Sequence, residues 1–377
     1  RFLLAFLPER EYTGGSSCGA SAAEPDTTLR TIIGFAMVRA IIMIHPGSLG
    51  DVFLAVPAMI RLRARFPNHR VVLYEEGRAA RLLLACGIID EWVPVQGLVC
   101  ASLFAGIKQP TGQRHQWLER CDLAVGWMKD PDGKLAETLK TIGAREVIVT
   151  SPFSSMIQAR HQRDRFLEAI NEVPSDSEQD VLLVVTEPVC QLGRAFLEEQ
   201  GIKMGEPLVV IHPGSGSAHK CVAPEILSTV VSAVQNCGAI PVILEGPVDR
   251  EPVEYLLPFC VNQPIVLKGL DIMTAAGVLA HADLFVGQDS GITHLAGLMG
   301  LRTIVFFGPT DPVRWAPRGT HVTVLQGSPC RCQSWEEVSR CREKPCLLIS
   351  RDNLVALCLA HLTKAAVARG IKPVSCH

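Results

Sequence analysis

The chain has 377 residues, more than one hydrophobic core usually serves, so two domains is the starting expectation. Apolar residues make up 48 % and charged residues 20 %, a globular composition with ample core material. A formal net charge of −2 speaks against a nucleic-acid binder driven by phosphate neutralisation and leaves only local basic patches open.

Residues 1–36 contain the small, polar, aperiodic stretch "EYTGGSSCGASAAEPDTT" and read as a disordered extension, with the functional chain beginning near Met37. A targeting peptide built on "RFLLAFL" is the other reading. The uncharged apolar stretch Thr31–Val38 falls far short of the roughly 20 residues of a spanning helix. The chain has 14 cysteines, and scattered ones such as Cys86, Cys121, Cys190 and Cys237 read as small buried hydrophobes in a reducing compartment. The expectation is a cytoplasmic protein, peripheral to a membrane at most.

From Ala40 the pattern alternates. Strands are predicted at Ala40–His45, Arg70–Tyr74, Glu91–Val95, Cys121–Trp127 and Glu146–Thr150, with helices at Asp51–Phe66, Arg78–Cys86, near Lys134–Ile142 and at Met156–Ile170. The polar "NEVPSDSEQD" opens a connection, and "VLLVV" and a helix at Val189–Gln200 follow. Further strands are predicted at Leu208–His212, Ile240–Glu245, Pro264–Leu267, Leu284–Val286 and Thr303–Phe307. The matching helices are Ala223–Asn236, Arg250–Leu257, Met273–His281 and Ile292–Met299, and a long mixed helix, Asn353–Arg369, ends the chain. Such alternation argues for βαβ units, and "IHPGS" occurs at both Ile44–Ser48 and Ile211–Ser215. The fold class is therefore α/β, two Rossmann-like doubly wound domains facing across a cleft, each "IHPGS" ending the first strand of its own domain.

Ligands of open parallel sheets bind beyond the carboxyl ends of the strands, where three polar clusters fall. The first is Pro46–Asp51, in which Ser48, Gly50 and Asp51 face the cleft, and Asp51 is equally readable as a helix cap. The second is His212–Lys220, where Ser215, Gly216, Ser217 and Lys220 suit a phosphate at a helix start; a solvated loop is the plainer reading. The third is Asp289–His294, which places Asp289, Ser290, Gly291 and His294 at another helix N-terminus. Two adjacent phosphate corners imply a diphosphate. Asp289 would repel it and so either contacts a sugar hydroxyl or caps the helix, while His294 is also readable as a core histidine. No P-loop and no G-x-G-x-x-G is present, which disfavours a dehydrogenase. Cys330, Cys332, Cys341 and Cys346 could bind zinc, although C-x-C with C-x4-C is loose spacing for a structural site.

Together "GSLGDVFLAVPAM", "IHPGSGSAHK", "GPVDRE", "DSGITHLAGLMG" and "FFGPTDPVRWAP" resemble glycosyltransferase family nine, the ADP-heptose:lipopolysaccharide heptosyltransferases, over roughly Val38–Ala366. The resemblance implies the GT-B architecture. Residues 37–180 would form an acceptor domain and 181–350 a nucleotide-sugar domain, and a final helix within 351–377 would return to the N-terminal domain. It implies Asp51 as general base with Ser48 and Gly50 on the acceptor side, and Lys220 facing the donor phosphates. Asp289, Ser290, Gly291 and His294 would bind the donor, Glu251 the nucleoside side, and Leu270 would flank adenine. Cysteine-rich segments recur at this place in the family without metal taking part in catalysis. His45 stands where the family often has Arg, and Leu98–Arg114 aligns poorly, which puts the acceptor in doubt.

The implied reaction is inverting transfer of a heptosyl or related sugar from an ADP-sugar to a lipid-linked or core-oligosaccharide acceptor, at the cytoplasmic face of the inner membrane. A carboxylate base, a lysine and two helix N-termini would serve without a required cofactor, since no Asp-x-Asp motif occurs in the cleft segments. A sugar-nucleotide epimerase and a non-catalytic sugar-nucleotide-binding homologue are the competing readings.

Overall fold

The computed structural model describes residues 38–106, 117–151, 160–174, 182–368 and 370. The expected extension 1–36, the expected start at Met37, the N-terminal part of the predicted Met156–Ile170 helix, most of the polar connection and the last residues of the 351–377 segment lie outside the described residues.

The first half contains, in chain order, β1 (Ala40–Ile44), α1 (Leu49–Arg65), β2 (Arg70–Glu75), α2 (Ala80–Ala85), β3 (Glu91–Pro94), α3 (Leu98–Phe104), β4 (Cys121–Trp127), α4 (Lys134–Ile142), β5 (Glu146–Thr150) and α5 (Gln162–Glu168). The second contains α6 (Glu187–Glu199), β6 (Leu208–His212), α7 (Pro224–Asn236), β7 (Ile240–Glu245), α8 (Arg250–Leu256), β8 (Ile265–Lys268) and α9 (Ile272–Ala280). It continues with β9 (Leu284–Gln288), α10 (Gly291–Leu298), β10 (Thr303–Phe306), α11 (Pro312–Trp315), β11 (Val322–Leu325), α12 (Trp335–Arg340) and α13 (Arg351–Ala368).

Each half builds one parallel sheet, in the orders β3-β2-β1-β4-β5 and β11-β10-β9-β6-β7-β8. The order reverses beside β1 in the first and between β6 and β9 in the second, and ligands of such sheets lodge at these switch points. Both central strands, β1 and β6, bury all five residues, as parallel strands covered on both faces do. The predicted β and α positions hold with ends shifted by a residue or two. Short α3, α11 and α12 and the edge strand β11 had no sequence prediction. β11 is only half buried and lacks the apolar run that marks its neighbours.

The halves are joined through packed side chains. One continuous apolar cluster includes Met43 and Phe53 of the first half and Val210 and Phe285 of the second. Within the second half, α6 crosses α9 at Gly193 and Gly277, where a Cβ on either glycine would meet the other's backbone. At the far rim, His161 donates its Nε2–H to the Ala316 carbonyl at 2.7 Å, and Arg318 grips both oxygens of Asp164 at 2.7 and 2.9 Å.

Residues 369 and 371–377 of the segment expected to return to the N-terminal domain lie outside the described residues. The described part of α13 packs on α7 and β9, and its Leu354, Cys358 and Leu362 sit in the C-terminal core with Val231 and Val286. Buried leucines such as Leu354 and Leu362 each contribute about 1.5–3 kcal/mol. α13 and the turn before it are apolar and long enough to cross a membrane by composition.

Candidate active site

β1 runs into a corner, residues 45–48, that opens α1. Ser48 is the N-cap; its N–H donates to Asp51 Oδ2 at 3.1 Å and its hydroxyl donates to the same oxygen at 2.8 Å. The capping reading of Asp51 is therefore realised, and it uses Oδ2 alone. His45 beneath the corner is fully buried against Trp127 and Phe166 and accepts the Gly47 N–H on Nδ1 at 3.2 Å. Burial pushes this imidazole down to about 4, against the pull of Asp51, so it is neutral at physiological pH.

α10 meets α1 head to head. A Cβ on Gly50 would stand 3.1 Å from His294 Cδ2, and one on Gly291 would stand 2.9 Å from Leu49 Cβ, so these two glycines let the helix N-termini converge. His294 is buried between the carboxylates of Asp51 and Asp289. Burial lowers its basicity and the two carboxylates partly restore it. Its Nδ1 has no hydrogen-bond partner among the described residues.

The second corner follows β6. Lys220 ends a short 3-10 turn and donates to Asp289 Oδ2 at 2.8 Å, while Thr310 donates to the same oxygen at 2.6 Å. Ser215 donates its hydroxyl to the Asp289 carbonyl at 2.6 Å, which ties the second corner to the third. Of the two roles weighed for Asp289, helix capping is not the one seen: Ser290 is the N-cap of α10, and the Asp289 carboxylate turns to Lys220. Beneath Ser290, buried His212 donates Nε2–H to Asp249 Oδ2 at 2.9 Å. Burial raises the Asp249 carboxyl, but the bond and charge of His212 outweigh it and hold the group below the ordinary carboxylate range. Gly214 is required here because any side chain would collide with the Asp249 carboxylate.

These corners enclose two adjoining compartments. One, of about 570 Å³, is largely apolar and lined by residues including Leu244, Val248, Leu270, Ile272 and Ala275, with Ser215, Gly216 and Asp249 at its polar end. The other, of about 470 Å³, is polar: Ser48, Gly50, Asp51, Lys220, Asp289 and His294 line it together with Thr310 and Trp335. Leu49, Arg78, Gly216, Ser290 and Gly291 border both.

Of the thirteen candidate positions other than the cysteines, eleven line one compartment or both, and Glu251 and Ser217 line neither. Glu251 is exposed on α8 and accepts the Tyr255 hydroxyl at 2.8 Å, while Asp249, two residues earlier, faces inward. Ser217 caps the turn that carries Lys220 by accepting the His219 N–H at 3.3 Å. Cys330, Cys332 and Cys341 lie in the excursion that supplies Trp335, and Cys346 lies at its base; the Trp335 ring centroid is 5.9 Å from Lys220 Nζ. Arg78, Asp249, Thr310 and Trp335 had no sequence prediction. Arg78 follows the buried Glu75, which accepts the Gly77 and Arg78 N–H groups at 2.6 and 3.1 Å; a glycine and an arginine just past a strand end were the available signal.

The chain is similar to known proteins in both sequence and fold. The model of the family described as glycosyltransferase family 9 (heptosyltransferase) matches residues 139–346, more than half of the chain and a span that excludes Asp51. Lipopolysaccharide heptosyltransferase 3 of Escherichia coli (strain K12) is 31 % identical over 166 residues, 43 % of this chain and 48 % of that protein, so the alignment spans about half of the relative's length. The structure of a glycosyl transferase family 9 protein from Veillonella parvula DSM 2008 superposes with TM-score 0.71 at 19 % identity, covering 85 % of this chain and 98 % of that one. E. coli ADP-heptose lps heptosyltransferase II superposes with TM-score 0.64 at 16 % identity, covering 85 % and 99 %. At such identities the structural likeness carries the fold, GT-B, and the family match covers both corners of the second half. The chain belongs to glycosyltransferase family 9, the heptosyltransferase family.

Proposed function

We propose that this protein is an inverting glycosyltransferase that moves a heptosyl or related sugar from an ADP-sugar to a hydroxyl of a lipopolysaccharide-core or similar glycan acceptor. The observation that carries the reading is the polar compartment: Asp51 enters it from the first half and Lys220 from the second, beside an apolar compartment that contains Leu270. The similarity to a lipopolysaccharide heptosyltransferase supports the choice of sugar and acceptor class.

In this reading the nucleoside occupies the apolar compartment and the diphosphate lies across Ser215, Gly216 and Ser290 towards Lys220. Backbone N–H groups at the α10 N-terminus and the cation of Lys220 take up the charge that grows on the departing phosphate. The acceptor oxygen attacks the anomeric carbon from the face opposite ADP, and the bond to the phosphate breaks as the new one forms. Asp51 takes the hydroxyl proton on Oδ1, since Oδ2 already holds the helix cap. Base and leaving-group site belong to different halves, so domain closure assembles them. The reaction as assigned asks for no cofactor. It takes place in the cytoplasm, with the membrane met through a lipid-linked acceptor.

The test is a nucleotide-sugar binding screen followed by transfer assays on core-oligosaccharide fragments. Transfer from an ADP-sugar that is lost in Asp51→Asn supports the proposal. Interconversion of sugar nucleotides without an acceptor would make the protein an epimerase, and ADP-sugar binding with no turnover on any fragment would make it a binding protein.

A further inference from the structure

Residues 328–345 form an excursion between β11 and α13 in which no residue is buried. Its base is closed by the Gly327 N–H donating to the Cys346 carbonyl at 2.8 Å. A segment of this length without an apolar core needs a covalent or metal staple to keep one conformation. Yet it holds a defined shape: α12 is capped by Ser334, and Lys344 adopts φ 42, a left-handed backbone that a non-glycine residue keeps only when its surroundings impose it.

The staple is at hand. The Sγ atoms of Cys330, Cys332 and Cys341 lie within 4.8 Å of one another. Cys330 Sγ is 3.0 Å from Cys332 Sγ and 3.9 Å from Cys341 Sγ, and the buried Cys346 stands at the base of the same excursion. Four thiolates at about 2.3 Å from one ion would stand about 3.8 Å apart, close to the Cys330–Cys341 spacing. Thiolate sets of this kind select zinc or iron over magnesium or calcium. The segment's Arg331, Arg340, Arg342 and Lys344 are largely balanced by Glu336, Glu337 and Glu343, so the thiol cluster itself carries the case for a metal.

We propose that Cys330, Cys332, Cys341 and Cys346 bind one zinc or iron ion through four thiolates, and that this ion clamps Trp335 and Lys344 against the turn that carries Lys220. The clamp follows from chain geometry. Cys332 and Cys341 bracket α12, whose first residue, Trp335, lies over Lys220. Cys341 and Cys346 bracket Lys344, whose Nζ donates to the Ala218 carbonyl at 3.4 Å. The ion shapes one wall of the polar compartment without touching substrate.

The full chain, purified anaerobically, is expected to carry about one zinc or iron per molecule by plasma mass spectrometry. The Cys330→Ser/Cys341→Ser variant should carry under a tenth of that, and Cys190→Ser, outside the cluster, should match the parent. Cys341→His keeps a competent ligand and should retain the metal, which separates ligand loss from misfolding. Cobalt-loaded protein should show thiolate charge-transfer and tetrahedral d–d bands. Displacing the ion with a mercurial should change tryptophan emission in the parent and not in Trp335→Phe. Metal-free protein with four titratable thiols, a disulfide within the segment, or equal metal loss in Cys190→Ser would overturn the site, and unchanged emission on displacement would overturn the clamp. These readings use no substrate, so their failure leaves the proposed transfer reaction untouched.

Discussion

Lys220→Ala probes the centre of the proposed donor site. Lys220 Nζ is 2.8 Å from Asp289 Oδ2, with side-chain exposures of 21 % and 7 %. A cation about 4 Å from a phosphate at an effective dielectric near 20 is worth about 4 kcal/mol before desolvation. Partial exposure and salt reduce the usable part to about 2–3 kcal/mol. The substitution also leaves the Asp289 carboxylate with Thr310 as its remaining bonded partner, facing the diphosphate. ADP affinity should therefore fall roughly 10²-fold in titration calorimetry at moderate salt. Adding Asp289→Asn to Lys220→Ala removes the repulsion and should restore about tenfold, or ~1.4 kcal/mol. The pattern distinguishes electrostatics from damage, because a second substitution in a misfolded site would not recover affinity. A Lys220→Ala variant that binds ADP within about threefold of the parent, or a double variant weaker than the single, would refute the reasoning.

Asp51→Asn should keep ADP affinity and lower turnover by roughly 10²–10⁴-fold, while stability changes by no more than about 1 kcal/mol because Asn still caps α1; near-normal turnover would reduce Asp51 to a cap. Asp249→Ala strands the buried His212 and should cost about 3 kcal/mol in urea unfolding together with donor affinity. Glu251→Ala, on the exposed face of α8, should leave both within about 0.5 kcal/mol, and loss of ADP binding in that variant would contradict its placement. Because His45 titrates near 4 when folded and near 6.5 when unfolded, the unfolded chain binds the extra proton between these values, so stability should fall as pH drops from about 6.5 to 4. The full contribution of His45 is roughly 3 kcal/mol. Thermal melts of His45→Gln should show a shallower decline over that window, and an unchanged slope would remove His45 as its source.

What the sequence determined by itself is local. Apolar runs such as Ala40–Ile44 and Leu208–His212, each followed by a glycine corner and an amphipathic stretch, specify strand, turn and helix within one window, and parallel βαβ chirality does the rest. The three polar corners were legible for the same reason: each is a contiguous string at a strand end. Tertiary structure decided what depends on direction and on partners far apart in the chain. Periodicity does not say that Asp249 turns inward to His212 while Glu251, two residues and about half a helical turn away, faces solvent. Nor could residue types reveal that Lys220 is held by Asp289, 69 positions later, because that pairing exists only after β6 and β9 become neighbours. The last helix shows the limit most plainly. Its residues are mixed around the helix, so no apolar stripe marks a packing face in the sequence, and only the packed core shows Leu354, Cys358 and Leu362 joining the residues of α7.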